Sequence, residues 1–289
     1  MTKRHIRLLA VAASAALALS ACGSDDGDSA EPGTGGTDST GGSSEGMDAL
    51  RIGIKFDQPG LGLREGSEYT GFDVEIAKGV AAQLGVDEAN ITWVEAPSAQ
   101  RETLLETDQV DLIFATYSIT DSRKERVSFA GPYFIAGQGL LVRADETAIT
   151  GKDSLDGKKL CSVTGSTPAQ KIKDEYPGVQ LQEFGTYSEC LPALLSGGID
   201  AITTDDTILA GFASQEQYAG KLKLAGEPFT EERYGVGVQK GNELCQQVND
   251  AIKALIEDGS WEKAVQDTLG AADFTPGPGN PPEVNEDCS

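Results

Sequence analysis

Apolar residues recur along this chain in two rhythms that take turns. In "LRIGIK" (residues 50–55) they fall at alternate positions, the period of a strand with one buried face. In "GFDVEIAKGVAAQLG" (71–85), Phe72, Ile76, Val80 and Leu84 recur every four residues with Ala77 and Ala81 beside them, which predicts an amphipathic helix. The exchange continues with strand "ITWVEA", helix "AQRETLLET", buried strand "VDLIFA" and strand "QGLLVRA". A second series runs strand "KLCSV", helix "TPAQKIKDEY", strand "VQLQEF", helix "SECLPALLSG", strand "IDAITT" and helix "DDTILAGFAS". Strand "RYGVGVQK" and helices "NELCQQVNDAIKALIEDG" and "SWEKAVQDTLG" close the body. Strands separated by helices predict an α/β fold with parallel sheets covered on both faces.

The two series echo each other. "LLETDQVDLIFAT" and "LLSGGIDAITTDD" share a leucine pair, a polar turn, an aliphatic residue, Asp, an apolar strand and threonines. Two similar lobes are expected, lobe 1 from 48–141 and 237–289 and lobe 2 from 142–236, with "QGLLVRA" and "RYGVGVQK" as crossovers. Gly137, Gly139, Gly235 and Gly237 sit in those crossovers, where hinge torsions would be absorbed. Ligands of open α/β sheets bind beyond the carboxyl ends of strands. Both echoed strands end in hydroxyls and charges, so a ligand is expected between the lobes.

The ends of the chain read differently. Lys3, Arg4 and Arg7 precede an apolar run too short for a comfortable membrane span, which closes with Leu19-Ser20-Ala21-Cys22. That order is a lipobox. It predicts a signal peptide over 1–21, a lipid-modified Cys22 as the membrane attachment, and no later spanning stretch. Residues 22–47, rich in Gly, Ser, Thr and Asp, have almost nothing to bury and read as a flexible tether. The Pro- and Gly-rich tail after Asp273 is expected on the surface without regular structure. Four cysteines remain after Cys22, an even number that in an exported protein favours two disulfides over free thiols. Sequence allows three pairings. Cys161–Cys190, both within one segment, and Cys245–Cys288, which would staple the tail, are the ones expected here.

Composition narrows the chemistry. The only histidine, His5, leaves with the signal, which excludes a Ser-His-Asp triad, a Cys-His pair and His-ligated zinc from the mature chain. No cofactor is expected. Lys+Arg 23 against Asp+Glu 46 gives a formal charge of -23, which repels anions over most of the surface and argues against nucleic acid as a partner. Against that background "ATYSITDSRKERVSFAGPY" (115–133) sets Thr116, Ser118 and Thr120 beside Arg123. A guanidinium fork with hydroxyls around it suits a carboxylate, although Arg123 also reads as one surface arginine in a polar run. Lys124 and Arg126 read as solvent-facing.

Three further groups converge on the same strand ends. In "VTGSTPAQ", Gly165 and Ser166 lead to Thr167 as helix cap and Pro168 at the first helical position, which aims free N–H groups at an anion or simply caps a helix. Asp205 could receive an ammonium or cap the helix that follows; Asp206 is the capper if Asp205 is a ligand residue. Asp111 and Asp200, at the starts of the echoed strands, read as structural. Phe56 could cover an apolar side chain or fill the core. Arg101 opens a helix, a poor place for a cation, and could hold a second anionic group. An arginine, a helix N-terminus and an aspartate form the set that a zwitterionic amino acid needs.

In these residues the sequence resembles the polar amino-acid binding proteins of ABC importers (solute-binding protein family 3). "GFDVEIAKGVAAQL", "SITDSRKERVSFAGPY", "GSTPA" and "DAITTD" carry the resemblance over roughly Leu50 to Leu269. "KFDQPGLGLREG", "SAQRETL" and "CSVTGSTPAQK" resemble in particular the glutamate-binding lipoproteins of actinobacterial glutamate importers. The resemblance implies a two-lobed, periplasmic-binding-protein-like (type II) fold and a monomer anchored by lipid on the extracytoplasmic face of the cell membrane. It implies delivery of L-glutamate to a permease with its ATPase subunits, and no enzymatic activity. It also implies roles: Arg123, the Ser118 hydroxyl and the backbone at Thr116 on the α-carboxylate, joined by the Thr167 N–H; Asp205 on the α-ammonium; Arg101 on the side-chain carboxylate; Phe56 packing on the ligand. Many members carry a second aromatic where this chain has Pro97-Ser98, a departure that leaves the side-chain pocket more polar. Glutamine and aspartate are the rival ligands. A cyclic-acid dehydratase on the same fold, or a sensor domain expected to continue into a membrane segment, are the rivals of another class.

Overall fold

The computed structural model describes residues 47–272 and 274–289. The signal peptide, Cys22 and the tether up to residue 46 lie outside the described residues. The chain runs β1 (Leu50–Ile54), β2 (Asp57–Gln58), β3 (Gly62–Glu65), β4 (Glu68–Thr70), α1 (Phe72–Gln83), β5 (Ile91–Glu95), α2 (Arg101–Glu106), β6 (Leu112–Ile113), α3 (Asp121–Lys124) and β7 (Val127–Ala136). It continues as β8 (Gln138–Arg143), β9 (Lys159–Val163), α4 (Thr167–Glu175), β10 (Gln180–Phe184), α5 (Cys190–Leu195), β11 (Ala201–Asp205), α6 (Asp206–Ser214) and β12 (Leu222–Leu224). It returns as β13 (Glu232–Gln239) and closes with α7 (Leu244–Glu257) and α8 (Ser260–Thr268).

One sheet has the order β5-β1-β6-β13-β7, a second β10-β9-β11-β8-β12, and β2-β3-β4 form a small third. Neither large sheet is wholly parallel, contrary to the sequence expectation. The first three strands of each are parallel, while β13 and β8 run antiparallel to their neighbours. The reason is that the crossover strands enter each sheet from the opposite end. Sheet membership changes at Gly137 and again at Glu232, whereas the lobe limits read from sequence lay at 141 and 236.

The duplicated pattern has a physical basis at Asp111 and Asp200. The Asp111 carboxylate accepts from the Arg51 amide at 2.7 Å, and its own N–H donates to the Arg51 carbonyl at 2.8 Å. Asp200 does the same with Lys159, at 2.8 and 2.7 Å. Each aspartate locks the start of one parallel strand to the next.

β7 was not foreseen, because Gly131-Pro132 interrupts its apolar pattern. It lies at a sheet edge, where a missing N–H is tolerated. The tail covers part of that edge. Asn280 accepts from the Ile135 amide at 3.0 Å and donates to its carbonyl at 2.8 Å, and the Gly131 carbonyl accepts from Asn285 and Glu286. The Cys245–Cys288 disulfide pins this tail to α7, and Cys161–Cys190 joins β9 to α5. The first core is aromatic: Phe72, Tyr133, Phe134, Tyr234 and Trp261 pack with centroids 5.2–6.1 Å apart, and the Trp261 Nε1 donates to the Tyr133 carbonyl at 2.7 Å. Burial of each such ring contributes about 2–3 kcal/mol.

None of the four crossover glycines has a positive φ, so in this form they are needed for space and not for torsion. A Cβ at Gly235 would stand 2.6 Å from Ile119, at Gly237 2.7 Å from Tyr117 and at Gly137 2.7 Å from Pro228. Their small size lets the loop after β6 and the returning chain lie against the crossovers.

Candidate ligand-binding cleft

Both sheets aim strand ends at one small, tightly closed-in cleft between the lobes, with room of only about 10 Å³ left inside it. Ser98, Arg101, Thr116, Ser118 and Arg123 line it from the first lobe, and Ser166, Thr167, Pro168, Tyr187, Thr204, Asp205 and Ile208 from the second. A wider open groove adjoins it beside Arg123 and Thr167. The unpartnered buried atoms of the closed cavity, described below, mark it as the site.

Arg123 reaches the cavity because Thr120 caps α3, its Oγ1 accepting from the Arg123 amide at 3.3 Å. The guanidinium is 8 % exposed. Its NH1 donates to the Ser118 carbonyl at 2.7 Å and its NH2 crosses to the Gly165 carbonyl at 3.0 Å. Its Nε lies 3.3 Å from Glu102 Oε1, which also accepts from the Tyr117 hydroxyl at 2.8 Å. The Tyr117 ring carries two cations, the Arg123 Cζ at 4.9 Å and the Arg101 Cζ at 5.1 Å from its centroid.

Arg101 is 3 % exposed, and only its Nε has a hydrogen-bond partner among the described residues, the Ala96 carbonyl at 3.2 Å. Burial, then the Arg123 charge, push its pKa down. Behind it Lys55 is fully buried, with its Nζ 3.2 Å from Asp57 Oδ1 but out of hydrogen-bond alignment. Burial lowers its pKa, Asp57 opposes that, and Arg101 adds to the lowering. Glu102 stands by Arg123 and Asp57 by Lys55, but Arg101 has no carboxylate in salt-bridge reach among the described residues, and a buried cation without one is costly.

Thr116 occupies the left-handed region at φ 47, held there by Asp73, whose Oδ2 accepts from the Thr116 amide at 3.0 Å. That N–H is therefore engaged within the protein. Asp73 is fully buried and also accepts from the Tyr133 hydroxyl at 2.7 Å. Desolvation pushes its pKa up to about 6.

On the second lobe, Ser166 caps α4, accepting from the Ala169 amide at 3.1 Å, so Thr167 is the first helical residue and not the cap. The serine oxygen points back at the helix, which frees the Thr167 hydroxyl for the cleft. It meets Ser118 Oγ at 3.1 Å and donates to Glu232 at 2.8 Å. The Thr167 N–H lies in a first helical turn, whose amides have no partner within the helix. Gly165 adopts φ 79, and a Cβ there would stand 2.8 Å from the Ala99 Cα, so the two lobes approach closely only over a glycine.

Asp205 is 3 % exposed. Its Oδ2 accepts from the Tyr234 hydroxyl at 2.7 Å, while its Oδ1 and the Thr204 hydroxyl have no partner among the described residues. Burial, and then the nearby Glu232 carboxylate, hold its pKa well above the carboxylate range. An ammonium beside Oδ1 would reverse that. Asp206 instead accepts from the Thr207 amide at 2.8 Å and the Gly137 amide at 3.2 Å, serving the helix start and the crossover.

The structure thus gathers Arg101, Thr116, Ser118, Arg123, Thr167 and Asp205 around one cavity. Phe56 is not in its lining; the ring packs on Tyr69 at 5.4 Å, with the Arg64 Cζ 5.3 Å away. Lys55, Tyr187, Thr204 and Glu232 were not singled out from sequence. Lys55 ends a strand beside the quoted Phe56. Tyr187 precedes Cys190, whose disulfide fixes the loop that presents it. Among the described residues no cluster of metal-ligating side chains occurs, and no helix is long and apolar enough to cross a membrane.

Two lobes closing on a cavity that pairs buried cations with a buried acid define a receptor for a small zwitterion. Residues 50–271 match the family model of bacterial extracellular solute-binding proteins, family 3, and the chain belongs to that family. Among its relatives is the glutamate-binding protein GluB of Corynebacterium efficiens, 47% identical over 250 residues, 79% of this chain and 84% of that one. The ABC transporter glutamine-binding protein GlnH of Bacillus subtilis is 35% identical over 264 residues, covering 90% of this chain and 95% of that one. Among solved structures, an ancestral arginine-binding protein bound to glutamine superposes with a TM-score of 0.72 at 33% identity, covering 78% of this chain and 99% of that one.

Proposed function

We propose that this chain is the extracytoplasmic binding component of an ABC amino-acid importer. It would hold L-glutamate between its lobes and deliver it to a membrane permease and its ATPase subunits, anchored through a lipid on Cys22. The α-carboxylate would take Arg123, the Ser118 hydroxyl and the Thr167 N–H, and the α-ammonium the free Oδ1 of Asp205. The Thr116 amide is held by Asp73, so its backbone would not serve the α-carboxylate; its carbonyl could only accept, from the α-ammonium.

One observation supports glutamate above other amino acids. Arg101 is buried at the cavity wall with its two terminal nitrogens unpartnered, and Lys55 behind it raises the local positive charge. An anionic side chain relieves that arrangement, whereas an amide turns a donor toward a group that has only donors. Glutamine is the second reading, since GlnH is named for it. Closure follows from the same groups. Asp205 Oδ1 and Thr204 Oγ1 are buried with no protein partner among the described residues, so a ligand that satisfies them shifts the population toward the closed form. Calorimetric titration with a panel of amino acids tests the proposal. Glutamate should bind tightest and be recovered unchanged; tighter binding of glutamine, or consumption of the ligand, would refute it.

A further inference from the structure

The C-terminal tail lies beyond residue 271, where the family match ends, and yet it touches the cleft machinery. Glu286 is 8 % exposed although its neighbours Asn285 and Asp287 are exposed. Its carboxylate joins two cations from distant segments, Lys124 Nζ through Oε2 and Arg233 NH2 through Oε1, the latter at 3.2 Å. Lys124 follows Arg123, and Arg233 follows Glu232, the partner of Thr167. A single acid therefore ties together the sequence neighbours of two cleft groups. The same two segments are joined by the Ile119 amide on the Arg233 carbonyl at 2.8 Å and the Gly235 amide on the Tyr117 carbonyl at 2.9 Å.

The segment that carries Arg123 needs this help. α3 has four residues, too few to hold itself by helical cooperativity. Glu102 pairs with Arg123 and Glu106 with Arg126, which leaves Lys124 and Arg233 to Glu286. Glu286 holds them from a partly desolvated position, where ion pairs are less screened than on an open surface. It is also held at both ends. The Asn249 amide donates to its carbonyl at 2.9 Å, its own N–H donates to Gly131, and Cys288 is bonded to Cys245 two residues on.

We propose that Glu286 is a positioning residue for ligand binding. Through Lys124 and Arg233 the tail holds Arg123 and Glu232 where the closed cleft needs them, and the Cys245–Cys288 bridge keeps the strap in place. This rests on the amino-acid-binding reading of the cleft. Calorimetric titration with L-glutamate of wild type, Glu286→Gln, Lys124→Gln and the double variant tests it, beside denaturant unfolding of each without ligand. Glu286→Gln should weaken binding about tenfold with little change in the unliganded unfolding midpoint, and the double variant should bind no worse than Glu286→Gln alone. Affinity within twofold of wild type, or losses that add in the double variant, would overturn the proposal. A wild type that binds no amino acid refutes the functional reading instead. Hydrogen exchange then decides the strap. Faster exchange of the Ile119 and Gly235 amides in Glu286→Gln supports it, and unchanged exchange overturns it.

Discussion

Replacing Arg101 with glutamine separates the ligands most sharply. The guanidinium is 3 % exposed, so a glutamate side chain closed in with it forms a desolvated pair. Removing one partner of such a pair costs about 3–5 kcal/mol. Two features of this cleft favour the lower end. Lys55 remains behind as a second buried cation, and the repulsion of Arg101 by Arg123 disappears with the substitution. A loss of about 3 kcal/mol raises the Kd for glutamate roughly 150-fold. A glutamine ligand loses only a hydrogen bond between a cation and a neutral amide, about 1 kcal/mol or roughly fivefold. Arg101→Gln should therefore narrow the preference for glutamate by about 30-fold. Competition titrations with both ligands at one ionic strength measure this directly. Equal losses for both, or a wider gap, would show that Arg101 does not read the side chain.

Three other outcomes follow from the geometry. Asp73 has its pKa raised to about 6 in the fold, so its neutral form is favoured there; that stabilisation is complete below the ordinary carboxylate value and is lost as pH rises through about 6. The stability of wild type relative to Asp73→Asn should fall by about 2 kcal/mol between pH 4 and 6.5, followed by urea unfolding, and a flat difference would contradict the burial argument. Opening Cys161–Cys190 with serines releases a 29-residue loop, worth about 3.5 kcal/mol by chain entropy, and should lower the denaturation midpoint accordingly. Gly165→Ala meets both a positive φ and the backbone at Ala99, so ligand affinity should drop tenfold or more while each lobe stays folded by circular dichroism; unchanged affinity would mean the lobes close differently.

The alternation of strands and helices was legible because each element buries one face, and period 2 or 3.6 follows from that. The convergence of Arg123, Thr167 and Asp205 on one cavity was legible too, because each follows an apolar strand at its carboxyl end. The missed features share a different cause. β7 hides behind Gly131-Pro132, since only its edge position excuses the proline. The crossover glycines were read as hinges because sequence reports a missing Cβ without saying whether torsion or space requires it. Ser166 and Thr167 both suit a cap, and only the position of the Ala169 amide decides between them. Lys55 and Tyr187 owe their place to contacts between segments far apart in the chain, which local pattern does not encode. Phe56, read as a ligand cover or a core residue, packs its ring against Tyr69 and Arg64.

The position of β13 has a consequence for how the molecule is made. It is the fourth strand of the first sheet, wedged between β6 and β7, and the chain supplies it only after the whole second lobe. A polypeptide emerging N-terminus first thus presents β7, ten residues nearly all destined for burial, with no partner on either edge. The second sheet draws its strands from Gln138 to Leu224 and can pair in full during that interval. The first waits for β13, and its aromatic core waits longer, for Trp261. Non-local pairing of this kind is slow, and an unpaired apolar strand invites association with other chains. The demand on chaperoning is therefore greatest while the second lobe emerges, and it eases only when the last fifth of the chain supplies β13 and then Trp261.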